Sequence, residues 1–399
     1  VNLRCAAMAN KPAVVDVEDP LQEQWYLQTA QDLFSLGVPG STRVEETKAK
    51  IQAIAEERNA AALYKLLCER TEMMADGALV KKMEEATAAE LKALEEELAK
   101  ATENEGESEI RAVLYKRARL YMRVMDKPAA LAAFDECFAK TVPIGQKLDV
   151  VFCKLRMALF DLDHALFKEC LAKAKDLLDQ GGDWERRNRL KVYEAVHLMS
   201  IREFSQAATL LLDSVATFTA TEICSYERFI CYVVLTSQLS LDRPSMKKRV
   251  IDAPEILAVI DSVPHIKSFL NSLYNCSYRE FMKALVDVTD DVTADRYLTR
   301  HAKHYFFECR LVAYKQFLES YSSVHLGSMA TTFGLSVDFL DNELAMYIAS
   351  GRLRCKIDKV SEVIVTKRLN VKNTKYQATI KEGDLLLNRI QKLSRVINV

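Results

Sequence analysis

SMATTFGLSVDFLDNELAMYIASGRLRCKIDKVSEVIVTK, residues 328–367, decides how the chain is read. Ser328 can cap a short helix that Gly334 stops. Ser336 can cap the next, which carries Val337, Leu340, Leu344 and Ile348 and ends at Gly351. There the helical period gives way to alternation. Leu353, Cys355 and Ile357 alternate with Arg352, Arg354 and Lys356, and EVIVTK (362–367) supplies a partner strand. With the helix LVAYKQFLESY (311–321) ahead, the order is helix, short helix, longer helix, hairpin. That is a winged helix over 311–368.

Upstream the chain is mainly α. Its 399 residues hold only 8 prolines and 11 glycines, and no proline follows Pro264. From 110 to about 218 helices come in pairs, joined by turns near Asp126, Asp163 and Arg202. Pro128 suits a first helical turn. The second helix of each pair opens on small residues: Ala129 and Ala130, Ala165, Ala207 and Ala208. Paired helices of this kind cannot bury their apolar faces alone, so they stack as a solenoid. The spacing is near that of tetratricopeptide repeats but ragged, and the repeat class stays open. The expected layout is an N-terminal helical region over 1–100, TPR-like repeats over 108–310, and a terminal helix over 376–397. Residues 78–100 form a charged helix whose stripe of Leu79, Met83, Leu91, Leu94 and Leu98 fits either a coiled-coil seam or a solvated helix lying on the next domain. The second is favoured. Residues 101–109, ATENEGESE, read as a polar linker.

Composition excludes several classes. Lys+Arg 55 against Asp+Glu 56 leaves a net charge of −1, which argues against a protein built to coat nucleic acid or an anionic membrane. No run nears the ~20 apolar residues of a membrane span. Residues 1–20, VNLRCAAMANKPAVVDVEDP, lack a sustained apolar core and turn acidic, so they do not read as a secretory leader. The ten cysteines include no C-x-x-C and read as reduced, small hydrophobes of an intracellular protein. No glycine precedes a lysine, and G-x-S-x-G, H-E-x-x-H and H-x-H are all missing. His301 and His304 can share a helix face, but ordinary helix residues are the better reading. No catalytic, cofactor or metal residue is assigned. The winged helix invites DNA readout, yet helix 336–349 carries Asp338, Asp341 and Glu343 and no Lys or Arg, so contact with protein is favoured.

Two stretches remain. In GGDWERRNRLKVYEA (181–195), Asp183 is expected to cap a helix, Trp184 to pack between repeats, and Arg186, Arg187 and Arg189 to pair with carboxylates. In GDLLLNRIQKLSRVINV (383–399), Leu386, Ile390, Leu393 and Ile397 follow four-three-four spacing, a coiled-coil-like seam. Tyr376, Ile380 and Leu387 make a second stripe beside it, and Leu385–Leu387 point three ways. A bundle formed with helices of other chains answers that pattern.

A helical-repeat array, then a winged helix, then a terminal bundling helix resembles the PCI-domain proteins, scaffold subunits of the proteasome lid, the COP9 signalosome and translation initiation factor 3. GGDWERRNRLKVY, ESYSSVHLGSMATTFG, IASGRLRCKIDKV and GDLLLNRIQKLSRVIN resemble the lid branch in particular, and LNRIQKLSRVIN (387–398) sides with the lid over the signalosome. TKRLNVKNTKYQ (366–377) departs from the family's proline-containing loop. The resemblance implies a PCI domain over 200–372 and a non-enzymatic scaffold without cofactors. It implies a hetero-oligomer with other PCI subunits, the lid deubiquitinase module and the AAA ATPase ring, with N-terminal helices reaching toward that ring. It implies no nucleic acid, membrane or small-molecule partner, and a place in cytoplasm and nucleus. It also implies a winged-helix edge contact through the hairpin, carried here by Arg352, Arg354, Lys356, Val363 and Val365, and bundle contacts through Leu386, Leu387, Ile390, Leu393 and Ile397.

Overall fold

One turn, made five times, sets much of the helical architecture in this computed structural model, which describes residues 20–37, 44–71, 73–74, 76–103, 106–366 and 371–397. A helix ends on a residue in left-handed backbone, and the next N–H reaches back to the carbonyl five residues earlier, so the orphan carbonyls of the helix end are satisfied. The left-handed residues are Asn59, Met125, Leu162, Arg202 and Cys276. Their closing bonds are Ala60 to Ala55, Asp126 to Tyr121, Asp163 to Ala158, Glu203 to Leu198 and Ser277 to Ser272, at 2.9–3.1 Å. Non-glycine residues bear about 1–2 kcal/mol in this conformation. The doubled hydrogen bonds and the packing of both helices hold them there. Asp126 then accepts from the Ala129 amide, and Asp163 from those of Ala165 and Leu166, starting the next helix.

These turns join α2 (Val44–Glu57) to α3 (Ala61–Thr71), α5 (Glu107–Val124) to α6 (Lys127–Lys140), and α7 (Ile144–Asp161) to α8 (His164–Asp179). They also join α9 (Trp184–Ser200) to α10 (Phe204–Ser214) and α14 (Pro264–Tyr274) to α15 (Tyr278–Ala294). The other helices are α1 (Pro20–Leu36), α4 (Gly77–Glu103), α11 (Tyr226–Ser240), α12 (Arg243–Met246), α13 (Pro254–Ile260), α16 (Ala302–Glu319), α17 (Leu326–Phe333), α18 (Val337–Ala349) and α19 (Val371–Ile397). The paired helices expected between 110 and 218 are thus present. The polar linker is not: α4 runs to Glu103 and α5 starts at Glu107, so most of 101–109 is helical. Residues 1–19, read above as lacking a leader, and 367–370, within the atypical loop, lie outside the described residues.

The chain forms two compact units. The first comprises Val1–Leu270 with Val286–Tyr305. Its core is filled by Phe134, Phe152, Phe167, Tyr193 and Phe229, and the small residues Ala130, Ala207 and Ala208 are fully buried where paired helices approach. The core also contains charge. Arg189 and Tyr193, one turn apart on α9, grip the fully buried Glu222, with the tyrosine hydroxyl donating at 3.0 Å. Arg228 and Tyr232, one turn apart on α11, grip Asp295 at 2.5 and 2.6 Å. The other oxygen of Asp295 accepts from the Tyr297 and Leu298 amides. The N-terminal helices fold onto the same unit. Gln31 of α1 donates to the Ala294 carbonyl at 2.7 Å and accepts from the Arg296 amide, and Tyr26 lies against Phe160. On α4, Met83 is buried and Glu90 pairs with Arg123 of α5, so this helix lies on its own chain and forms no free seam.

The second unit, Asn271–Leu285 with Phe306–Val399, contains the winged helix. Its sheet has three strands, β1 (Ser323–His325), β2 (Cys355–Asp358) and β3 (Val363–Thr366), antiparallel in the order β1-β3-β2. The hairpin was legible; β1, three residues long, was not. Ile364 of β3 is fully buried opposite Val324 and Ile357, and Met329, Phe333, Leu340 and Leu344 are buried in the same unit. Ser336 caps α18 and Gly334 takes the left-handed backbone, both as expected. Ser328 caps nothing: α17 starts two residues earlier, at Leu326. A third clamp holds this unit. Arg310 and Tyr314, one turn apart on α16, grip Glu343 of α18 at 2.5 and 2.7 Å.

Glu343 is 2 % exposed, so its removal leaves Arg310 and Tyr314 without the carboxylate they donate to, while Tyr347 keeps the Phe307 carbonyl at 2.7 Å. Glu343→Ala is expected to lower the stability of the winged-helix unit by roughly 3–5 kcal/mol, read as loss of its denaturant transition at unchanged far-UV signal from the first unit. His197 gives a pH-dependent expectation. Its ring stacks flat on Phe167 at 4.3 Å, and burial pushes its pKa from 6.5 down to about 4. The nearby His164 and Lys168 push the same way. A histidine kept neutral in the fold contributes stability above its unfolded pKa and loses it as the unfolded chain gains the proton. Stability should therefore fall between about pH 6.5 and 4 by roughly 3 kcal/mol, and His197→Phe should flatten that part of the melting-temperature profile.

Candidate protein-interaction surfaces

Among the described residues no group of three or more His, Cys, Asp or Glu is placed to hold a metal. His301 is an ordinary helical residue, its Nε2 at 2.9 Å from the Ser200 carbonyl. The nine cysteines among the described residues are free, and burial pushes the thiols of Cys231 and Cys355 up to about 11, away from reactivity. Among these residues no helix is long and apolar enough to cross a membrane. The geometry to be explained is therefore that of surfaces.

The arginine cluster at 186–189 is structural. Arg186 forks onto Asp149 of α7 with two bonds of 2.9 Å and pairs with Asp183, Arg187 reaches the Leu178 carbonyl, and Arg189 holds Glu222. Asp183 occupies the N-cap position of α9, but its side chain goes to Arg186 and caps no amide. Trp184 corrects the expectation most sharply. It is 65 % exposed and does not pack between repeats. Tryptophan at a helix start offered no signal to separate the two outcomes. A cleft of about 400 Å³ lies elsewhere in this unit, between α1, α2, α4 and α5, with Trp25, Leu94 and Leu120 among basic Arg58, Lys116, Arg119 and Arg123.

In the winged helix the five hairpin residues separate. Arg352 pairs with Glu308 through both ends of its guanidinium and lies over Phe307, so it is tied to α16. Arg354 and Lys356 are exposed. Lys356, Val365 and Ser323 form one cross-strand row, and Asp358, Val363 and His325 the next, so Lys356, Val363 and Val365 share the outer face of the sheet. β3 is the central strand, which leaves β1 and β2 as the edges. On α18 the three carboxylates also separate. Glu343 is clamped, Asp341 pairs with Lys359, and Asp338 is exposed beside Val337, Phe339 and Met346. The acidic face inferred from sequence is thus smaller than expected, and the helix instead exposes apolar side chains without a Lys or Arg among them.

On α19 the apolar residues meet solvent. Leu386, Leu387, Ile390, Leu393 and Ile397 are all exposed, between 53 % and 71 %, as are Tyr376, Ile380, Leu385 and Val396. Viewed down the axis, Leu393, Leu386, Ile397, Ile390, Tyr376, Leu387 and Ile380 fill an arc of about 140°. Leu385 and Val396 lie on the opposite side, where the seam reading did not place a contact.

Trp184→Ala should shift the chain's unfolding free energy by less than about 0.5 kcal/mol, as for a surface change, whereas Arg189→Ala, which strips the buried Glu222 of its charged partner and leaves it only the Tyr193 hydroxyl, should cost several times more in the same denaturant titration.

Comparison with known proteins bears on these surfaces. The family described as 26S proteasome subunit RPN7 matches residues 76–249, the PCI domain matches 285–368, and the 26S proteasome regulatory subunit RPN7/PSMD6 C-terminal helix matches 375–397. The chain is 48 % identical over 373 residues to the 26S proteasome non-ATPase regulatory subunit 6 of Dictyostelium discoideum, covering 94 % of this chain and 97 % of that protein. To the Arabidopsis thaliana homolog of that subunit it is 48 % identical over 379 residues, with 94 % and 98 % covered. To the 26S proteasome regulatory subunit RPN7 of Saccharomyces cerevisiae it is 35 % identical over 342 residues, with 84 % and 76 % covered.

Proposed function

Since the chain belongs to the family of 26S proteasome non-ATPase regulatory subunit 6, or Rpn7, we propose that α19 is the element that joins it to its neighbours. The family role is that of a non-catalytic lid scaffold in the proteasome regulatory particle, with a PCI domain and assembly into a complex of proteasome subunits. The names of its relatives favour this role over that of the corresponding COP9 signalosome subunit.

The observation that carries the proposal is the uncovered apolar arc of α19. Monomeric soluble proteins rarely expose contiguous apolar patches beyond a few hundred Å², and larger ones mark interaction sites. An arc of about 140° is wider than a two-stranded seam and suits a bundle of several helices. The winged helix supplies the second contact, through the outer face carrying Lys356, Val363 and Val365 and the apolar residues of α18, with other PCI subunits as its partners. Phe339 and Met346, with Asp338 between the turns, favour protein over DNA on that face. The N-terminal helices are proposed to face the AAA ATPase ring and neighbouring lid subunits, the deubiquitinase module among them, and the cleft beside Trp25 supports them as a contact surface. Cytoplasm and nucleus are the proposed compartments.

The test is native mass spectrometry of the tagged protein purified from its own cells, full length beside a deletion of 380–399. The full-length protein should run in a megadalton assembly, and the deletion should remain folded but run free or in a small subcomplex. A deletion that assembles normally would remove α19 from the role. One that loses cooperative unfolding would make it part of the chain's own core.

A further inference from the structure

Glycine in a helix interior costs about 1 kcal/mol relative to alanine. Gly383 bears that cost near the middle of α19, and nothing in the chain asks for it. A Cβ built there would meet no atom within 4 Å, and its backbone is not in the left-handed region that Gly334 and Gly351 occupy. The position is central in another sense. On the helical wheel Gly383 falls within the apolar arc, between Ile390 and Tyr376, with Leu386 and Leu387 one turn further on. The exposed apolar face therefore has a notch at its midpoint.

The charges around the notch are ordered. Glu382 and Asp384 sit at the two borders of the arc, one on each side of Gly383. Towards the start of the helix lie Lys372, Lys375 and Lys381, and beyond the notch Arg389, Lys392 and Arg395. None of these eight groups is buried. A partner matching this surface needs a complementary order: basic beside the crossing point, acidic towards both ends.

We propose that one amphipathic helix of another subunit crosses α19 at Gly383, with its backbone close to that of α19. It carries a small residue at the crossing, Lys or Arg beside it, and Asp or Glu on the turns to either side. The inference rests on the bundle reading of α19 and adds where the closest helix crosses and what its surface is. Small residues let helix backbones approach more closely than Leu or Ile permits. Here the loss of helix propensity is the cost of that approach.

The experiment is incorporation of tagged variants into the megadalton assembly in cells, read by native mass spectrometry, with circular dichroism of each purified chain. Gly383→Leu should raise helix content, because leucine is a strong helix former, and should lower the assembled fraction roughly tenfold by overpacking the crossing. Glu382→Lys with Asp384→Lys should also lower it, whereas Asn388→Ala, on the polar side of the wheel, should assemble as wild type. Leu386→Asp with Ile390→Asp serves as the control for the bundle itself. Normal assembly of Gly383→Leu beside failure of Leu386→Asp/Ile390→Asp overturns the crossing and leaves the bundle standing. Normal assembly of the Leu386→Asp/Ile390→Asp variant overturns the bundle, and the crossing falls with it.

Discussion

A buried carboxylate gripped by an arginine and a tyrosine one helical turn apart holds each unit of this protein in register. The unit is Arg-x-x-x-Tyr on α9, α11 and α16, with Glu222, Asp295 and Glu343 as the three anions. The spacing follows from helix geometry: side chains four apart lie on one face and converge on one point. Such an ion pair gains little net stability over an apolar contact of the same volume, because the buried carboxylate loses its hydration and the arginine, between 6 % and 31 % exposed, loses most of its own. What it adds is intolerance of misplacement. An apolar ridge that slips by one turn still finds apolar neighbours, whereas a clamp that slips leaves a bare charge in the core. Stacks of similar helices have many near-equivalent registers, so a device that penalises the wrong ones has a use here that it would lack in a mixed fold.

The tyrosines show how closed these sites are. Burial and the adjacent carboxylates raise the pKa of Tyr232, Tyr314 and Tyr347 well above their ordinary value, so they remain donors at any physiological pH. In the same setting Arg228 and Arg310 are held charged by their partners against the pull of desolvation. Those tyrosines and arginines are therefore fixed pieces of structure and not titrating switches. Burial acts differently on His197, which has no carboxylate among the charges that shift it and is held neutral.

The helices and turns were legible in the sequence because their causes are local. Asp126, Asp163 and Ser336 cap what they precede, and Gly334 stops what it follows. The clamps were not legible, because each carboxylate lies 29 to 67 residues from the side chains it holds. Read along the chain, Glu343 looked like one more acid on the face of α18, and only the fold turns it inward. Trp184 erred the other way. Size and hydrophobicity said core, and the helix start left it outside. β1 was missed because three residues beside two serines carry no alternation to detect. The apolar pattern of α19 was read correctly as a pattern, but its exposure is a fact of the tertiary structure.

That exposure sets the energetic terms on which α19 works. A segment of 27 residues is about 40 Å long as a helix, above the ~12–15 residues below which isolated helices are marginal in water. Gly383 weakens it at the centre. Apolar area buried on a partner would add stability at about 25 cal/mol per Å². Under the proposed bundle, side chains of α19 that cost solvation in the free chain would become part of an apolar core shared with other helices. Each unit is held by its own clamps, and the proposed bundle would cover the apolar residues that α19 exposes.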